Sequence, residues 1–239
     1  MKIFVISKVH AQKKTLIELL KPILPEVKKG AKLIFLGNYL GKGDVSFETI
    51  QLIMKLSQQP NVIVLRGVWE DMIVKAFLDK DEQVRKQYQQ HIKNQLKEEV
   101  EPFIHELKKH KEILSFCQSL PSYHVEPGFL FSHSGFNMNK WEKGTSLKMF
   151  LSQQTSKDLL YNQSFLKQVV SSSQNELPFY MVTGHRPKET FHDKHAKLPI
   201  LSPYIQGNVI NVDFGSSYLG CVQLIPTISL HLLHIKKEQ

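Results

Sequence analysis

The segment Leu36–Gly43, LGNYLGKG, directly follows an apolar run over residues 32–36. A short apolar run of this kind is typical of a buried strand, so the polar residues after it are expected at a strand end. Four further short segments have a similar composition, and three of them also directly follow an apolar run. They are Ile6–His10 (ISKVH), Leu65–Glu70 (LRGVWE), Ser132–Gly135 (SHSG) and Thr183–Pro187 (TGHRP).

In this order, the five segments resemble the metal-site motifs of the calcineurin-like metallophosphoesterases. The resemblance is strongest to the phosphoprotein phosphatase branch and its bacterial diadenosine tetraphosphatase-like relatives. In that family the sequences of these motifs are GDxHG, GDxxDRG, GNHE, a late His-x-Gly and a Gly-His pair. The resemblance implies an α/β fold, an αββα two-sheet sandwich with helices outside, formed by a single domain over residues 1–239.

Hydrophobic periodicity predicts the same class of fold, because short apolar strands alternate with helices in the first part of the chain. The predicted strands there are Lys2–Ser7, Lys32–Leu36 and Asn61–Leu65, and the predicted helices are Lys13–Val27 and Phe47–Leu56. The second half is rich in predicted strands: Phe129–Ser132, Phe179–Thr183, Val209–Asp213, Cys221–Ile225 and Ile228–Ile235. The last two flank Pro226-Thr227 and are expected to form a hairpin.

The middle of the chain, residues 81–118, is almost entirely polar and charged. Val84, Tyr88, Ile92, Leu96 and Val100 recur every four residues, which is the stripe of an amphipathic helix. A second helix is predicted to follow it. We therefore expect a helical insert beside the core and not a linker.

Composition limits the function classes. The net charge of +9, from 31 Lys+Arg against 22 Asp+Glu, can attract nucleic acid, anionic lipid or phosphorylated ligands. Most of the excess is scattered lysine, without a compact arginine cluster. No apolar run reaches the ~20 residues of a membrane span, and the first residues do not resemble a signal peptide. With two distant cysteines expected to be reduced and buried, the sequence predicts a cytoplasmic protein that does not bind membranes.

The resemblance also shows which metal ligands are altered. The first motif of the family supplies an Asp and a His to one metal, and these positions hold Lys8 and His10. The second motif supplies a bridging Asp, replaced here by the neutral amide Asn38. The third supplies an Asn ligand and the His that protonates the leaving group, and these are Val68 and Trp69. Valine has no ligand atom and indole does not titrate in water, so neither residue can perform the family's task.

Two further histidines, His133 and His185, match the ligands of the second metal. The predicted remnant metal ligands are therefore His10, Asn38, His133 and His185. Closely spaced dications need a bridging carboxylate to offset their repulsion, so we expect no metal pair and at most one divalent ion, manganese, zinc or iron. Three interpretations stay open: hydrogen-bonded histidines in a retired pocket, a single-metal site, or an anion-binding pocket.

Four basic residues form the predicted phosphate-binding group: Arg66, Lys42, Lys8 and Arg186. Arg66 matches a phosphate-contacting arginine of the family, and Lys42 replaces another. Because Lys is a point charge and Gln163 replaces a further arginine, we expect weak affinity, in the ~0.1–1 mM range. Protonation of the histidines should strengthen binding as the pH falls through ~6.5.

The leading functional hypothesis is a catalytically impaired pseudophosphatase that binds a phosphorylated protein or a nucleotide. The first alternative is an active phosphoesterase, acting on phosphoproteins or dinucleoside polyphosphates, with an altered metal site. The second alternative is a basic scaffold or nucleic-acid-binding protein on the same fold. Metal content separates the first two, and salt-dependent nucleic-acid affinity would support the third.

Overall fold

The computed structural model of the chain describes residues 2–41, 47–142, 144–165, 177–185, 203–213, 218–225 and 229–236. Within these residues the first sheet has the strand order β10-β9-β1-β2-β3. Its strands are β1 (Ile3–Ile6), β2 (Lys32–Phe35), β3 (Val62–Val64), β9 (Tyr218–Ile225) and β10 (Ser229–Lys236). The predicted hairpin is confirmed, since β9 and β10 pair antiparallel from Ser229–Ile225 to Lys236–Tyr218.

The second sheet has the order β4-β5-β6-β8-β7 in the described part of the chain. Its strands are β4 (Tyr123–Glu126), β5 (Phe129–Ser132), β6 (Tyr180–Thr183), β7 (Tyr204–Gln206) and β8 (Val209–Asn211). Strands β5, β6 and β8 are parallel, as are β1, β2 and β3. The carboxyl ends of each parallel set therefore lie along one edge of their sheet.

The two sheets face each other, which confirms the predicted two-sheet α/β fold. Alternate residues of β1 point to opposite faces. Ile3 and Val5 join a core that also contains Phe131 and Val182 of the second sheet, whereas Phe4 and Ile6 pack in the core that faces the helices.

The helices of the first half are α1 (Lys13–Leu20), α2 (Leu24–Lys28), α3 (Glu48–Leu56) and α4 (Val68–Leu78). The prediction of one helix over Lys13–Val27 is wrong, because α1 ends before Pro22 and α2 begins after it. Proline disfavours helical backbone at the residue before it and lacks the N–H of a helix interior. Pro25 is tolerated because it lies in the first turn of α2.

The predicted helical region over residues 81–118 contains α5 (Glu82–Leu96), α6 (Val100–Lys109) and α7 (Lys111–Ser119), with a short 3₁₀ turn between α5 and α6. The second predicted helix is two helices, because the backbone of His110 leaves the helical region with φ −109° and ψ 64°. Buried residues such as Ile92, Phe103 and Ile113 belong to the same core as β2 and α3. The interpretation of this region as an insert within one domain stays a prediction.

Two short helices, α8 (Leu147–Ser152) and α9 (Ser156–Leu160), cover the outer face of the second sheet. Their residues Phe150 and Leu160 pack with Leu130 of β5 and Met181 of β6. No helix in the described ranges is both long and apolar enough to span a bilayer.

Candidate functional site

The described parts of the five segments identified in the sequence lie together at one edge of the sandwich, because the strands before them are parallel within each sheet. Hydrogen bonds connect the segments across and between the sheets. Within the first sheet, Lys8 N–H donates to Gly37 O (3.2 Å), and Trp69 N–H donates to Asn38 Oδ1 (3.2 Å). Between the two sheets, Ser7 Oγ–H donates to Gly184 O (2.6 Å), and His133 Nδ1 lies 2.6 Å from Leu36 O. The sequence motifs thus form one site.

The ammonium group of Lys8 forms an ion pair in this site, with Nζ 2.9 Å from Oδ2 of Asp213. The Asp213 side chain is 2% exposed and that of Lys8 is 19% exposed. Lys8 follows β1 of the first sheet and Asp213 follows β8 of the second, so the pair links the two sheets. A fixed positive charge therefore stands where the resemblance placed a carboxylate metal ligand.

The side chains of His133 and His185 are neighbours, with ring centroids 5.2 Å apart. When the His133 ring is neutral, its Nδ1–H donates to Leu36 O and its Nε2 is a bare acceptor. Neither Nε2 of His133 nor Nδ1 of His185 has a hydrogen-bonding partner in the described part of the protein, although both atoms are buried. Two predicted remnant ligands are thus brought together.

Both histidines are held in the neutral form. Burial, the His185 ring and the charge of Lys8 together lower the pKa of His133 to about 3, against the bond to Leu36 O and the charge of Asp213. Burial and then Lys8 lower the pKa of His185 to about 4. The expectation that these histidines protonate near pH 6.5 is therefore wrong for the ligand-free pocket, because desolvation and Lys8 both disfavour a second cation there.

The loop after β1 has an unusual backbone. Lys8, His10 and Ala11 have positive φ angles of 52°, 47° and 56°. Left-handed backbone costs about 1 kcal/mol or more for each non-glycine residue. Backbone hydrogen bonds oppose this cost: His10 N–H donates to Asn38 O at 2.8 Å, and Ala11 N–H to Tyr39 O at 3.0 Å. The loop is therefore held in a conformation that brings Lys8 to Asp213.

The loop after β2 is organised by the carboxylate of Glu70, which is fully buried. It accepts backbone N–H groups from Asn38, Tyr39, Leu40 and Gly67 at 2.8–3.3 Å. Burial raises the pKa of Glu70, and the four donors oppose that rise. This carboxylate therefore acts as a structural acceptor between two site loops, and not as a metal ligand.

The resemblance places Trp69 at the position of the family's leaving-group acid. Its side chain is 5% exposed, and its indole lies over Gly41, where an added Cβ would be 2.2 Å from Cε2 of the ring. Its backbone N–H binds Asn38 Oδ1, so the predicted ligand Asn38 uses its carbonyl oxygen within the protein. This geometry is that of a packed side chain.

Arg66 is engaged by protein groups. Its Nη2 donates to Gln118 O at 2.5 Å, and its Nη1 lies 3.7 Å from Oδ1 of Asp71. Asp71 is 2% exposed and also accepts the Tyr161 hydroxyl at 2.7 Å and the Lys75 ammonium at 2.8 Å. Burial and the Asp71 charge both raise the pKa of Tyr161. Phosphate binding by Arg66 stays a prediction, and any such contact would share the guanidinium with these partners.

The other predicted site residues lie in different places. His10 follows Lys8 in the loop after β1 and is half-buried. Lys42 and Arg186, both predicted to bind phosphate, lie outside the described residues. Gln163 lies beyond the end of α9, as expected from its position in the sequence.

The side chains of the site do not fit the family's pair of divalent ions. Lys8 and Val68 cannot donate to a metal, and the amide of Asn38 binds dications more weakly than a carboxylate does. Among the described residues, no group of three or more His, Cys, Asp or Glu side chains is placed to hold a metal ion.

Sequence reasoning did not identify Asp213 as a site residue. The available signal was its position as the last residue of the predicted strand Val209–Asp213. Nothing in the sequence indicated that this acid would meet Lys8, because the two are 205 residues apart.

Fold and site together define a phosphoesterase scaffold with altered ligands. The family model for calcineurin-like phosphoesterases matches residues 1–212, so the chain belongs to the calcineurin-like phosphoesterase family. This confirms the resemblance predicted from the five segments. A search among curated proteins gives no match to the chain.

Solved structures with the same fold include several phosphatases. The chain is similar to a diadenosine tetraphosphatase-like protein (12% identity, TM-score 0.57, covering 99% of this chain and 94% of that one). It is also similar to the cold-active protein-tyrosine phosphatase of a psychrophilic Shewanella species (17%, 0.54, 99% and 80%). A third is a serine/threonine phosphatase from Saccharomyces cerevisiae with similarity to human PP5 (13%, 0.53, 100% and 80%). At these identities the likeness establishes the fold alone.

Proposed function

We propose that this protein is a catalytically impaired member of its family, a pseudophosphatase that binds a phosphorylated protein or a nucleotide. The observation that carries the proposal is the buried indole of Trp69 at the position of the leaving-group acid. A phosphoester needs a proton on its departing oxygen, and loss of a general acid typically costs ~10²–10⁴-fold in rate. Indole cannot supply that proton in water.

The altered charge of the pocket supports the same proposal. Lys8 places a cation beside the two imidazoles, where a dication would be repelled. At an effective dielectric constant near 20, one unit charge about 4 Å from a dication costs several kcal/mol. We therefore expect no metal pair in the purified protein, and elemental analysis tests this directly.

Ligand binding is the second half of the proposal. Lys8 is the partly exposed cation of the pocket, but its charge is compensated by Asp213, and Arg66 is paired with Asp71. These compensated charges favour weak affinity for phosphate, within the ~0.1–1 mM range. The buried histidines stay neutral in the empty pocket, so their titration near pH 6.5 is not expected to drive binding.

The test is a titration with inorganic phosphate and with a mononucleotide, followed by calorimetry and by histidine NMR shifts. Saturable binding by the wild type, weakened at least several-fold in Arg66→Ala, is the expected result. Lys28→Ala, on the exposed side of α2, is the matched control for loss of one positive charge. Absence of saturation at tens of millimolar ligand would contradict the binding role.

A second candidate is an active phosphoesterase that uses one divalent ion, manganese, zinc or iron. The observation that favours it is the pair of buried imidazole nitrogens on His133 and His185 without described partners. Equilibrium dialysis separates the candidates: one ion per chain in the wild type, lost in His133→Ala, would favour this second function.

A further inference from the structure

The ion pair between Lys8 and Asp213 joins parts of the chain that no secondary structure joins directly. Lys8 follows β1, which lies in the middle of the first sheet, and Asp213 follows β8 of the second sheet. The side chain of Asn211 holds the backbone of Asp213, whose N–H donates to Oδ1 of Asn211 at 3.1 Å. The contact therefore links the two halves of the sandwich at the edge that carries the site.

The surroundings of Asp213 require a positive charge. Its carboxylate is almost entirely buried, and an uncompensated buried carboxylate is strongly unfavourable. Lys8 supplies this charge from within the chain.

The backbone near Lys8 indicates that this placement is specific. Three of the four residues from Lys8 to Ala11 have positive φ, and hydrogen bonds to the loop after β2 maintain that conformation. Strained backbone persists where the surrounding structure over-determines it. Here the strained backbone places the ammonium group of Lys8 beside the buried carboxylate of Asp213.

We infer that Lys8 is the resident cation of this site, holding the functional edges of the two sheets together through Asp213 as a permanent substitute for a bound metal ion. The inference concerns the stability of the fold. It therefore goes beyond the proposed function and does not depend on whether the pocket binds a phosphorylated ligand.

A double-mutant cycle tests the coupling. Lys8→Met keeps the length of the side chain and removes its charge, and we expect the Tm to fall by about 10 °C. Asp213→Asn combined with Lys8→Met should recover much of that loss, because the buried charge is then absent. Lys28→Met, an exposed lysine replaced in the same way, should change the Tm by no more than about 2 °C. A Tm of Lys8→Met within 2 °C of the wild type would overturn the inference, and so would a double variant no more stable than Lys8→Met.

The cycle remains decisive if Lys8→Met does not fold. The double variant is then expected to be soluble and folded, since it carries no unpaired buried charge. A double variant that fails to fold while Asp213→Asn alone folds would show that Lys8 acts through something other than Asp213, and would also overturn the inference. Neither result bears on phosphate binding, which is measured on the wild type.

Discussion

The indole of Trp69 lies directly against the α-carbon of Gly41: a Cβ added to Gly41 would be only 2.2 Å from Cε2 and 2.4 Å from Nε1 of the ring. The indole, which the resemblance places at the position of the family's general acid, is therefore packed against the loop after β2. Gly41 also has φ +105°, a conformation that favours glycine. A substitution at Gly41 therefore affects both the backbone of the loop and the packing of the indole.

Gly41→Ala is expected to destabilise the protein by about 2–4 kcal/mol, from the clash with the indole and the positive φ combined. Gly30→Ala is the matched control, because Gly30 has φ +101° but no atom within 4 Å of the added Cβ. It should show only the backbone cost of about 1–2 kcal/mol. Urea denaturation measures both, and equal losses for the two variants would mean that the indole does not pack as described.

Glu70→Gln is expected to cost about 2–4 kcal/mol, because an amide NH₂ would face backbone N–H donors that the carboxylate now accepts. The matched control is Glu48→Gln, which removes an exposed ion pair with Lys13 and should cost less than about 1 kcal/mol. Chemical denaturation of the two variants provides the comparison. A Glu70→Gln variant as stable as the control would contradict the structural role of the four N–H contacts.

Stability should fall as the pH falls below about 6.5. In the folded protein the pKa values of His133 and His185 are about 3 and about 4, so between these values and ~6.5 the unfolded chain binds protons that the folded chain does not. The stability present above pH 6.5 is therefore lost progressively on acidification, by about 1.4 kcal/mol per pH unit for each histidine.

His133→Asn serves as the test of this pH dependence. Its amide N–H can still donate toward Leu36 O, but it does not titrate. The change in unfolding free energy between pH 7 and pH 5 should be about 2 kcal/mol smaller in the variant than in the wild type. Identical pH dependence would mean that His133 titrates at its ordinary value in the folded protein.

The sequence was sufficient to predict the sandwich and most of the site because the segments follow strands. Parallel strands bring their carboxyl ends to one edge, so Lys8, Asn38, Trp69, His133 and His185 could be expected together. Their partners could not be predicted. The pairing of Lys8 with Asp213 depends on how far apart the two sheets lie, which no local pattern records.

Two local errors have identifiable physical causes. Helical periodicity predicts one helix over Lys13–Val27, but Pro22 disfavours helical backbone before it and the helix divides there. The strand β4 was missed because His124 and Glu126 point inward and do not look like core residues. Glu126 is 5% exposed because it forms an ion pair with Lys32 across the sandwich and a hydrogen bond with His124. The desolvation cost of this buried carboxylate is offset by its two partners, which come together only in the folded protein.

Whether the protein is catalytically impaired is tested most directly by the hydrolysis of a generic aryl phosphate. The wild type is assayed in the presence of added manganese and compared with His133→Ala and with buffer. If Trp69 and Lys8 have removed the leaving-group acid and the metal pair, the three rates will be the same within error. Wild-type turnover clearly above buffer, abolished in His133→Ala, would contradict the account and identify the protein as an active phosphoesterase with an altered metal site.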